Sequence, residues 1–122
     1  LQFPLEVGYM HATRYRGETE GQTELQWQAL PSCPMAGRTV LILDDIFDEG
    51  NTLAEVVEAC KAQGAKEVIT AVMITKLHER KNTSLQVDFS GLDVEDRYLF
   101  GFGMDYRGYW RNADGIYAVK GL

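Results

Sequence analysis

The chain contains few residues that could form disulfides or soft-ligand metal sites. Its 122 residues include two cysteines and two histidines. Cys33 and Cys60 have no cysteine or histidine neighbours at metal-ligand spacing, so we interpret both as free thiols. Cys60 falls on the apolar side of a predicted helix, where a thiol acts as a small buried hydrophobic group. His11 is interpreted as a strand residue and His78 as a surface residue, and neither receives a catalytic role.

Two further absences limit the classes of function. There are 18 acidic residues against 12 Lys and Arg, a formal net charge of -6, which repels polyanions and anionic bilayers. We therefore expect no nucleic-acid and no membrane partner, and any phosphate site must be local. No apolar run approaches the roughly 20 residues of a membrane span, and the start of the chain lacks the regions of a signal peptide. The expected location is cytoplasmic.

The middle of the chain predicts a strand, a helix and a second strand. The continuous apolar run at residues 40–43 is typical of a central parallel strand buried on both faces. Apolar residues with helical spacing follow from Leu53 to Cys60, and Gly64 is a natural helix end. The β-branched run at residues 68–74 completes a crossover between parallel strands. The chain is therefore expected to be α/β, in one domain over residues 1–122.

The flanking regions give weaker patterns. Alternation over residues 5–11, continuing to Tyr15, predicts a strand that a polar, hairpin-like loop at residues 16–24 links to a short strand at residues 25–30. After the crossover we expect a polar loop at residues 76–86, a strand at residues 98–100 and a last strand near residues 115–119. Trp27 and Trp110 are interpreted as packing or subunit-contact residues.

A cluster of acids, a glycine and a hydroxyl follows the first central strand. Asp44 and Asp45 come directly after the apolar run, where paired carboxylates can accept bonds from two ribose hydroxyls or hold magnesium. The segment at residues 48–52 then opens a helix, and a helix N-terminus stabilises a bound phosphate. Gly50 permits a tight turn, while Asn51 and Thr52 offer hydrogen-bonding groups. The segment matches neither the Walker nor the dinucleotide pattern, which disfavours nucleotide hydrolysis.

The run at residues 40–53 resembles the 5-phosphoribosyl-1-pyrophosphate (PRPP) binding motif of the type I phosphoribosyltransferases. Nearly the whole chain is similar to the C-terminal two thirds of a 6-oxopurine enzyme, the hypoxanthine-guanine phosphoribosyltransferases. The resemblance implies a central, mostly parallel sheet flanked by helices, with a flexible loop and a small C-terminal hood. It also implies a homodimer or homotetramer and Mg²⁺ as cofactor.

The resemblance implies specific roles for residues at matching positions. Asp44 and Asp45 would hold the ribose hydroxyls, residues 48–52 (Asp48, Glu49, Gly50, Asn51, Thr52) the 5-phosphate, and Asp48 would be the general base at purine N7. Lys76 would recognise the purine 6-oxo group. The remaining implied roles are purine contacts for Tyr98, Leu99 and Asp105, pyrophosphate contacts for Arg111 and Arg80, flexible-loop positions for Arg14 and Tyr15, and metal ligation for Asp105, Asp44 and Asp45.

The chain departs from the family pattern at three places. Glu49 replaces a common threonine, and we expect its carboxylate to point to solvent. Asp44 stands where many relatives carry glutamate, which shortens the reach to the ribose. The family's short pyrophosphate-binding loop, with its strand and helix, has no counterpart before Leu1. We therefore expect a fragment, or a chain that a partner completes.

The implied reaction transfers phosphoribose from PRPP to N9 of hypoxanthine or guanine, giving IMP or GMP and pyrophosphate. Two alternatives stay open. The nearest enzymatic alternative is a related enzyme acting on xanthine and guanine, which Lys76 cannot distinguish because it would face a 6-oxo group in all three bases. A non-catalytic regulator that keeps the fold to sense nucleotide is the alternative from another class of function.

Overall fold

The computed structural model describes residues 1–16, 23–29, 33–81 and 83–122, with residues 13–16 and 23–29 described by their backbone alone. The elements in chain order are β1 (His11–Arg16), β2 (Thr23–Ala29), β3 (Thr39–Phe47), α1 (Asn51–Ala62), β4 (Glu67–Leu77), β5 (Phe89–Glu95), β6 (Leu99–Phe100) and β7 (Tyr117–Ala118). They fall into two compact units. The first unit holds Leu1–Val40 and Asn51–Val68, and the second holds Leu41–Gly50 and Ile69–Leu122. A single domain over residues 1–122 stays a prediction.

In the first unit β1 and β2 pair as an antiparallel hairpin, as predicted, although residues 17–22 and Leu30 lie outside the described residues. The strand predicted over residues 5–10 is wrong. Leu5, Val7 and Tyr9 are exposed, and regular pairing begins at His11. Alternation alone does not make a strand, because the backbone also needs a pairing partner, and no described strand pairs with residues 5–10.

The predicted helix is confirmed as α1. Its apolar face buries Leu53, Val57 and Cys60, and Cys60 is fully enclosed. That burial raises the pKa of the Cys60 thiol and confirms its interpretation as a small core residue. The helix ends at Ala62, and Gly64, whose φ is +86°, follows it. The Gly64 N–H donates to the carbonyl of Lys61, and the following N–H donates to that of Cys60, which is the Schellman pattern. The described residues contain no helix long and apolar enough to cross a membrane.

The second unit contains a sheet in the order β3-β4-β5, with β4 and β5 parallel. The prediction that β3 is buried on both faces is wrong, because Leu41 and Leu43 are 41% and 72% exposed. Within the described sheet β3 is an edge strand, so it has one paired neighbour rather than two. Its carboxyl end does reach the core, since Phe47 is buried.

Two boundaries in this unit differ from the predictions. β4 continues through Lys76 and Leu77, which were predicted as loop, and β5 was not predicted at all. Gly91 interrupts the apolar pattern of β5, and it is needed because a Cβ there would meet the Met73 carbonyl oxygen at 2.7 Å. The strands predicted near residues 98–100 and 115–119 are confirmed as β6 and β7, which pair antiparallel. Trp110 is 60% exposed, which contradicts a packing role. Its role in a subunit contact stays a prediction, and the side chain of Trp27 lies outside the described residues.

Lys81 links the carboxyl ends of β3 and β4 through hydrogen bonds. Its ammonium donates to the carbonyl oxygens of Phe47 (3.4 Å), Asp48 and Lys76 (2.7 Å), and it lies 4.7 Å from the centre of the Phe47 ring. Burial lowers the pKa of Lys81, although the charge of Asp48 acts in the opposite direction. These bonds join the ends of the two strands and therefore help to hold the loops that follow them.

Lys81→Met should destabilise the protein, because it keeps the side-chain volume but leaves strand-end carbonyls without their donor. We expect the free energy of unfolding to fall by about 1–3 kcal/mol. Lys66→Met is the control, because it removes an exposed lysine. It should change the free energy of unfolding by less than about 0.5 kcal/mol. Urea unfolding of both variants provides the comparison, and equal losses would show that the Lys81 bonds contribute nothing.

Candidate active site

The second unit contains a cleft of about 230 Å³ at the carboxyl end of its sheet. It is lined by Asp45, Ile46, Asp48, Lys76, Tyr98, Leu99, Met104, Asp105 and Arg111. All of these except Ile46 and Met104 belong to the set predicted from the sequence. Residues from the ends of β3 and β4 meet here because parallel sheets bring these ends to one edge, where α/β proteins bind ligands.

Asp48 lies at the centre of the polar groups. One carboxylate oxygen accepts a hydrogen bond from Lys76 Nζ at 3.1 Å, and the other lies 2.6 Å from His78 Nε2. Arg80 Nη2 is 3.8 Å from the second oxygen. Partial burial would raise the pKa of Asp48, but the bonds from His78 and Lys76 outweigh it, so its pKa lies below the ordinary value. Asp48 is therefore a carboxylate at neutral pH.

The interpretation of His78 as a surface residue is wrong. Its side chain is 6% exposed, Nε2 contacts Asp48, and Nδ1 accepts the backbone N–H of Arg80 at 3.0 Å. The sequence did carry a signal for this position. Lys76 and His78 are two residues apart at the end of a strand, and such residues point to the same face. A lysine assigned to the site therefore implies that His78 is near it.

The segment predicted to bind the 5-phosphate runs from Asp48 into the start of α1. Asn51 and Thr52 are the first residues of that helix. The Glu49 carboxylate is 52% exposed and pairs with Arg80 at 3.2 Å, so an arginine offsets its charge. Gly50 has a φ of +90°, and a Cβ there would meet Thr83 Cγ2 and a Phe47 ring carbon at 2.5 and 2.7 Å. No other residue type fits this turn without displacement.

The two acids that follow the apolar run differ in position. Asp45 lines the cleft, whereas Asp44 does not. An Asp44 carboxylate oxygen accepts the backbone N–H of Asp45 at 2.9 Å. Loss of water around this carboxyl raises the pKa of Asp44 to about 6 against the lowering effect of that bond, and the negative charge of Asp45 adds to the rise. The Asp44 residue as a whole is exposed, so the loss of water is partial.

The opposite wall comes from the C-terminal region. The Tyr98 ring is 43% exposed and packs edge to face against Tyr106, with centroids 5.7 Å apart. Asp105 accepts the backbone N–H of Gly108 at 2.7 Å and lies 3.6 Å from Arg111. Arg111 also donates to the Gly103 carbonyl at 3.0 Å. These contacts hold Asp105 and Arg111 at the cleft while leaving the Tyr98 face accessible.

The cleft lining does not include Asp44 or the four predicted residues from Glu49 to Thr52. Arg80 makes two bonds of 2.8 Å to Asp96, and hydrogen bonding to that acid is the main reason why its pKa lies above the ordinary value. Arg80 does not line the cleft. Arg14 and Tyr15 are in β1, opposite residues of β2, and their side chains lie outside the described residues.

A second acidic cluster does not fit a metal ion well. Donor atoms of Asp48, His78 and Asp96 lie within 4.8 Å of one another. However, Asp96 is bound by Arg80, Asp48 is bound by Lys76 and His78, and the lone pair of His78 Nδ1 is used by a backbone N–H. The contacts in this cluster are therefore those of an ion-pair network.

Comparison with known proteins extends this picture. Residues 1–107 match the family described as the phosphoribosyl transferase domain. The chain belongs to the phosphoribosyl transferase family. It is 31% identical over 116 residues to the hypoxanthine-guanine phosphoribosyltransferase of Bacillus subtilis, covering 95% of this chain and 64% of that protein. The Aquifex aeolicus protein of the same name is 36% identical over 84 residues, covering 69% of this chain and 47% of that protein.

A solved structure of a hypoxanthine phosphoribosyltransferase from Staphylococcus aureus has the same fold. The TM-score is 0.88 at 25% identity, covering 98% of this chain and 64% of that one. The expected type I phosphoribosyltransferase fold is therefore confirmed. The chain spans 64% of the length of the Bacillus subtilis and Staphylococcus aureus proteins.

Gly50→Ala should destabilise the loop more than glycine loss at an open position. A left-handed conformation alone costs roughly 1–2 kcal/mol with a Cβ, and the contacts with Phe47 and Thr83 add an overpacking cost of about 1–3 kcal/mol. Gly37→Ala is the matched control, since its φ is +72° with nothing within 4 Å of the added Cβ. Equal losses of unfolding free energy in the two variants would contradict the crowding argument.

Proposed function

We propose that the protein is a purine salvage enzyme that transfers the 5-phosphoribosyl group of PRPP to N9 of hypoxanthine or guanine. The products are IMP or GMP and pyrophosphate. The observation that carries this proposal is the presence of Asp48, Lys76 and Tyr98 in one cleft of a chain from the phosphoribosyl transferase family. The names of the relatives from Bacillus subtilis and Aquifex aeolicus support the same choice of bases.

Recognition of a 6-oxopurine follows from the charge of Lys76. Its side chain is 11% exposed, so an ammonium donor is held in a largely water-free place. A 6-oxo group accepts a bond from it. Adenine would instead present a 6-amino donor, leaving two donors facing each other without partners, and such mismatches are strongly rejected. Tyr98 offers an aromatic face for stacking on the purine plane.

Asp48 is proposed to act on purine N7 as bond formation proceeds at N9. Positive charge grows on the purine as the N9 bond to ribose forms, and a nearby carboxylate can stabilise that charge and accept the N7 proton. Such a base contributes about 10²–10⁴ in rate. Its lowered pKa keeps it charged at neutral pH but makes it a weak base, so stabilisation of the developing charge is the larger part of its role.

Magnesium is proposed as the cofactor, held with the pyrophosphate end of PRPP. Asp45 and Asp105 fit it, because both carboxylates line the same cleft and Mg²⁺ is usually bound by one or two carboxylates, waters and phosphate oxygens. Asp44 fits less well, since it does not line the cleft. When bound, the ion would neutralise the charge of the leaving pyrophosphate. Arg111 would contact the same group directly.

The other expected properties remain proposals. The ribose and 5-phosphate would be held by Asp44, Asp45 and the loop at residues 48–52. A homodimer or homotetramer, a cytoplasmic location and the lack of nucleic-acid or membrane partners rest on the family resemblance and on charge. The relatives' names favour an enzyme over a regulator. A solved structure at TM-score 0.86 is named for hypoxanthine, guanine and xanthine together, so xanthine belongs among the bases tested.

The test is pyrophosphate release from PRPP and Mg²⁺ by the protein expressed from its complete reading frame. Hypoxanthine, guanine, xanthine and adenine are compared in parallel. Release with hypoxanthine and guanine and none with adenine is the expected result. If xanthine gave the highest rate of pyrophosphate release, the protein would instead be assigned as the related enzyme that acts on xanthine and guanine. GMP binding without any turnover would favour the regulator.

Asp48→Asn should lower kcat by about 10²–10⁴, because the amide can neither accept the N7 proton nor offset charge on the purine. GMP affinity should stay within about tenfold, since the amide keeps the shape of the site. Asp93→Asn, on the exposed part of β5, is the matched control and should leave both quantities unchanged. Unaltered turnover in Asp48→Asn would remove Asp48 as the base.

A further inference from the structure

We propose that His78 is a positioning residue that holds the Asp48 carboxylate through a neutral ring whose proton lies on Nε2. The inference rests on the proposed function in one respect, which is that Asp48 is the group that acts on the purine. The resemblance assigned no role to His78. Its geometry does so, because the ring is almost wholly buried and both nitrogens have fixed partners.

The partners of the ring determine its tautomer. Nδ1 accepts the backbone N–H of Arg80, so this nitrogen must carry a lone pair. The proton of a neutral ring therefore sits on Nε2, which donates to Asp48 at 2.6 Å. If both ring nitrogens carried a proton, the Nδ1–H of His78 and the backbone N–H of Arg80 would be two donors facing each other. The backbone turn after β4 thus fixes the direction of the bond to Asp48.

Lys76 and His78, the two hydrogen-bond partners of Asp48, differ in conformational freedom. Lys76 has three N–H donors on a flexible stem, and its proposed role requires it to reach the purine oxygen. His78 has a single free donor, aimed at Asp48 from a rigid ring. When a 6-oxopurine engages Lys76, His78 is the group that keeps one Asp48 oxygen fixed. The other oxygen then becomes available to the purine.

The neutrality of His78 matters for the chemistry. A second cation on Asp48 would stabilise the carboxylate more strongly and weaken it further as a base. Asp48 already has several cations near it. Lys76 bonds Asp48 directly, Arg80 Nη2 lies 3.8 Å away, and Lys81 binds the Asp48 carbonyl oxygen. Glu49 and Asp96 neutralise Arg80 on its other side. A neutral donor orients the carboxylate without adding to this positive charge.

Two substitutions separate positioning from packing. His78→Gln retains an N–H donor near the Nε2 position, whereas His78→Leu fills the space without a donor. We expect kcat to fall about 10–100-fold in His78→Leu, because a loosely held base is misplaced, with a smaller change in the KM for the purine. His78→Gln should recover most of the loss. Glu79→Gln, an exposed neighbour, should stay within about twofold.

The pH profile gives a readout that a packing role would not change. Asp48 must be charged to act, and the bond from His78 helps to lower its pKa. Removing the donor raises that pKa, so the acidic limb of kcat should move to higher pH in His78→Leu and stay near its original position in His78→Gln. Identical profiles and equal rate losses in the two variants would overturn the inference.

A direct measurement does not depend on turnover. The chain has two histidines, so ¹⁵N NMR of the labelled rings in the unmodified protein can be assigned by the loss of one ring signal in His78→Gln. A protonated Nε2 and an unprotonated Nδ1 at neutral pH are expected. A proton on Nδ1 would overturn the inference, whatever the enzyme assays show. The expected tautomer in a protein that releases no pyrophosphate would instead refute the proposed function and leave the orientation of His78 established.

Discussion

The arrangement of the second unit depends on how the carboxyl ends of β3 and β4 are held together. Side chains add hydrogen bonds between these two strand ends. Lys81 binds carbonyls at both ends, and Lys76 and His78 reach from β4 and the turn after it to the Asp48 carboxylate. The bond between Lys76 and Asp48 joins the two strand ends, and both residues line the cleft, so the proposed function would depend on a contact that also supports the fold.

The cations of the second unit are paired with acids and carbonyls and do not form a basic surface. The net charge is -6, yet Lys76, Arg80, Lys81 and Arg111 all belong to the second unit. Most of them are engaged by carboxylates or carbonyls, which keeps their mutual repulsion small and fixes their positions. The cleft itself is lined by two cations, Lys76 and Arg111, beside three carboxylates, so an anion there would be bound by individual cations and not by a general positive potential.

Much of the site could be predicted from the sequence, because its parts lie where strands end. Asp45, Asp48 and Lys76 follow or end apolar runs, and a parallel sheet brings such positions together. His78 was misinterpreted because the predicted strand ended before Lys76, so the shared direction of Lys76 and His78 was not recognised, whereas β4 runs to Leu77. Lys81 was missed because a polar loop gives no indication of where a long side chain returns. The exposure of Leu41 and Leu43 could not be predicted either, since an apolar run does not say whether its strand lies at an edge.

A crystal structure of the protein with GMP would show whether the cleft is a purine site built around an Asp48 carboxylate held by His78. We expect the purine ring to stack on Tyr98 and its 6-oxo group to lie within hydrogen-bond distance of Lys76 Nζ. N7 should face Asp48, and His78 Nε2 should still be bound to Asp48. A purine bound elsewhere, or an Asp48 carboxylate that has left His78 while the base occupies the cleft, would contradict this expectation.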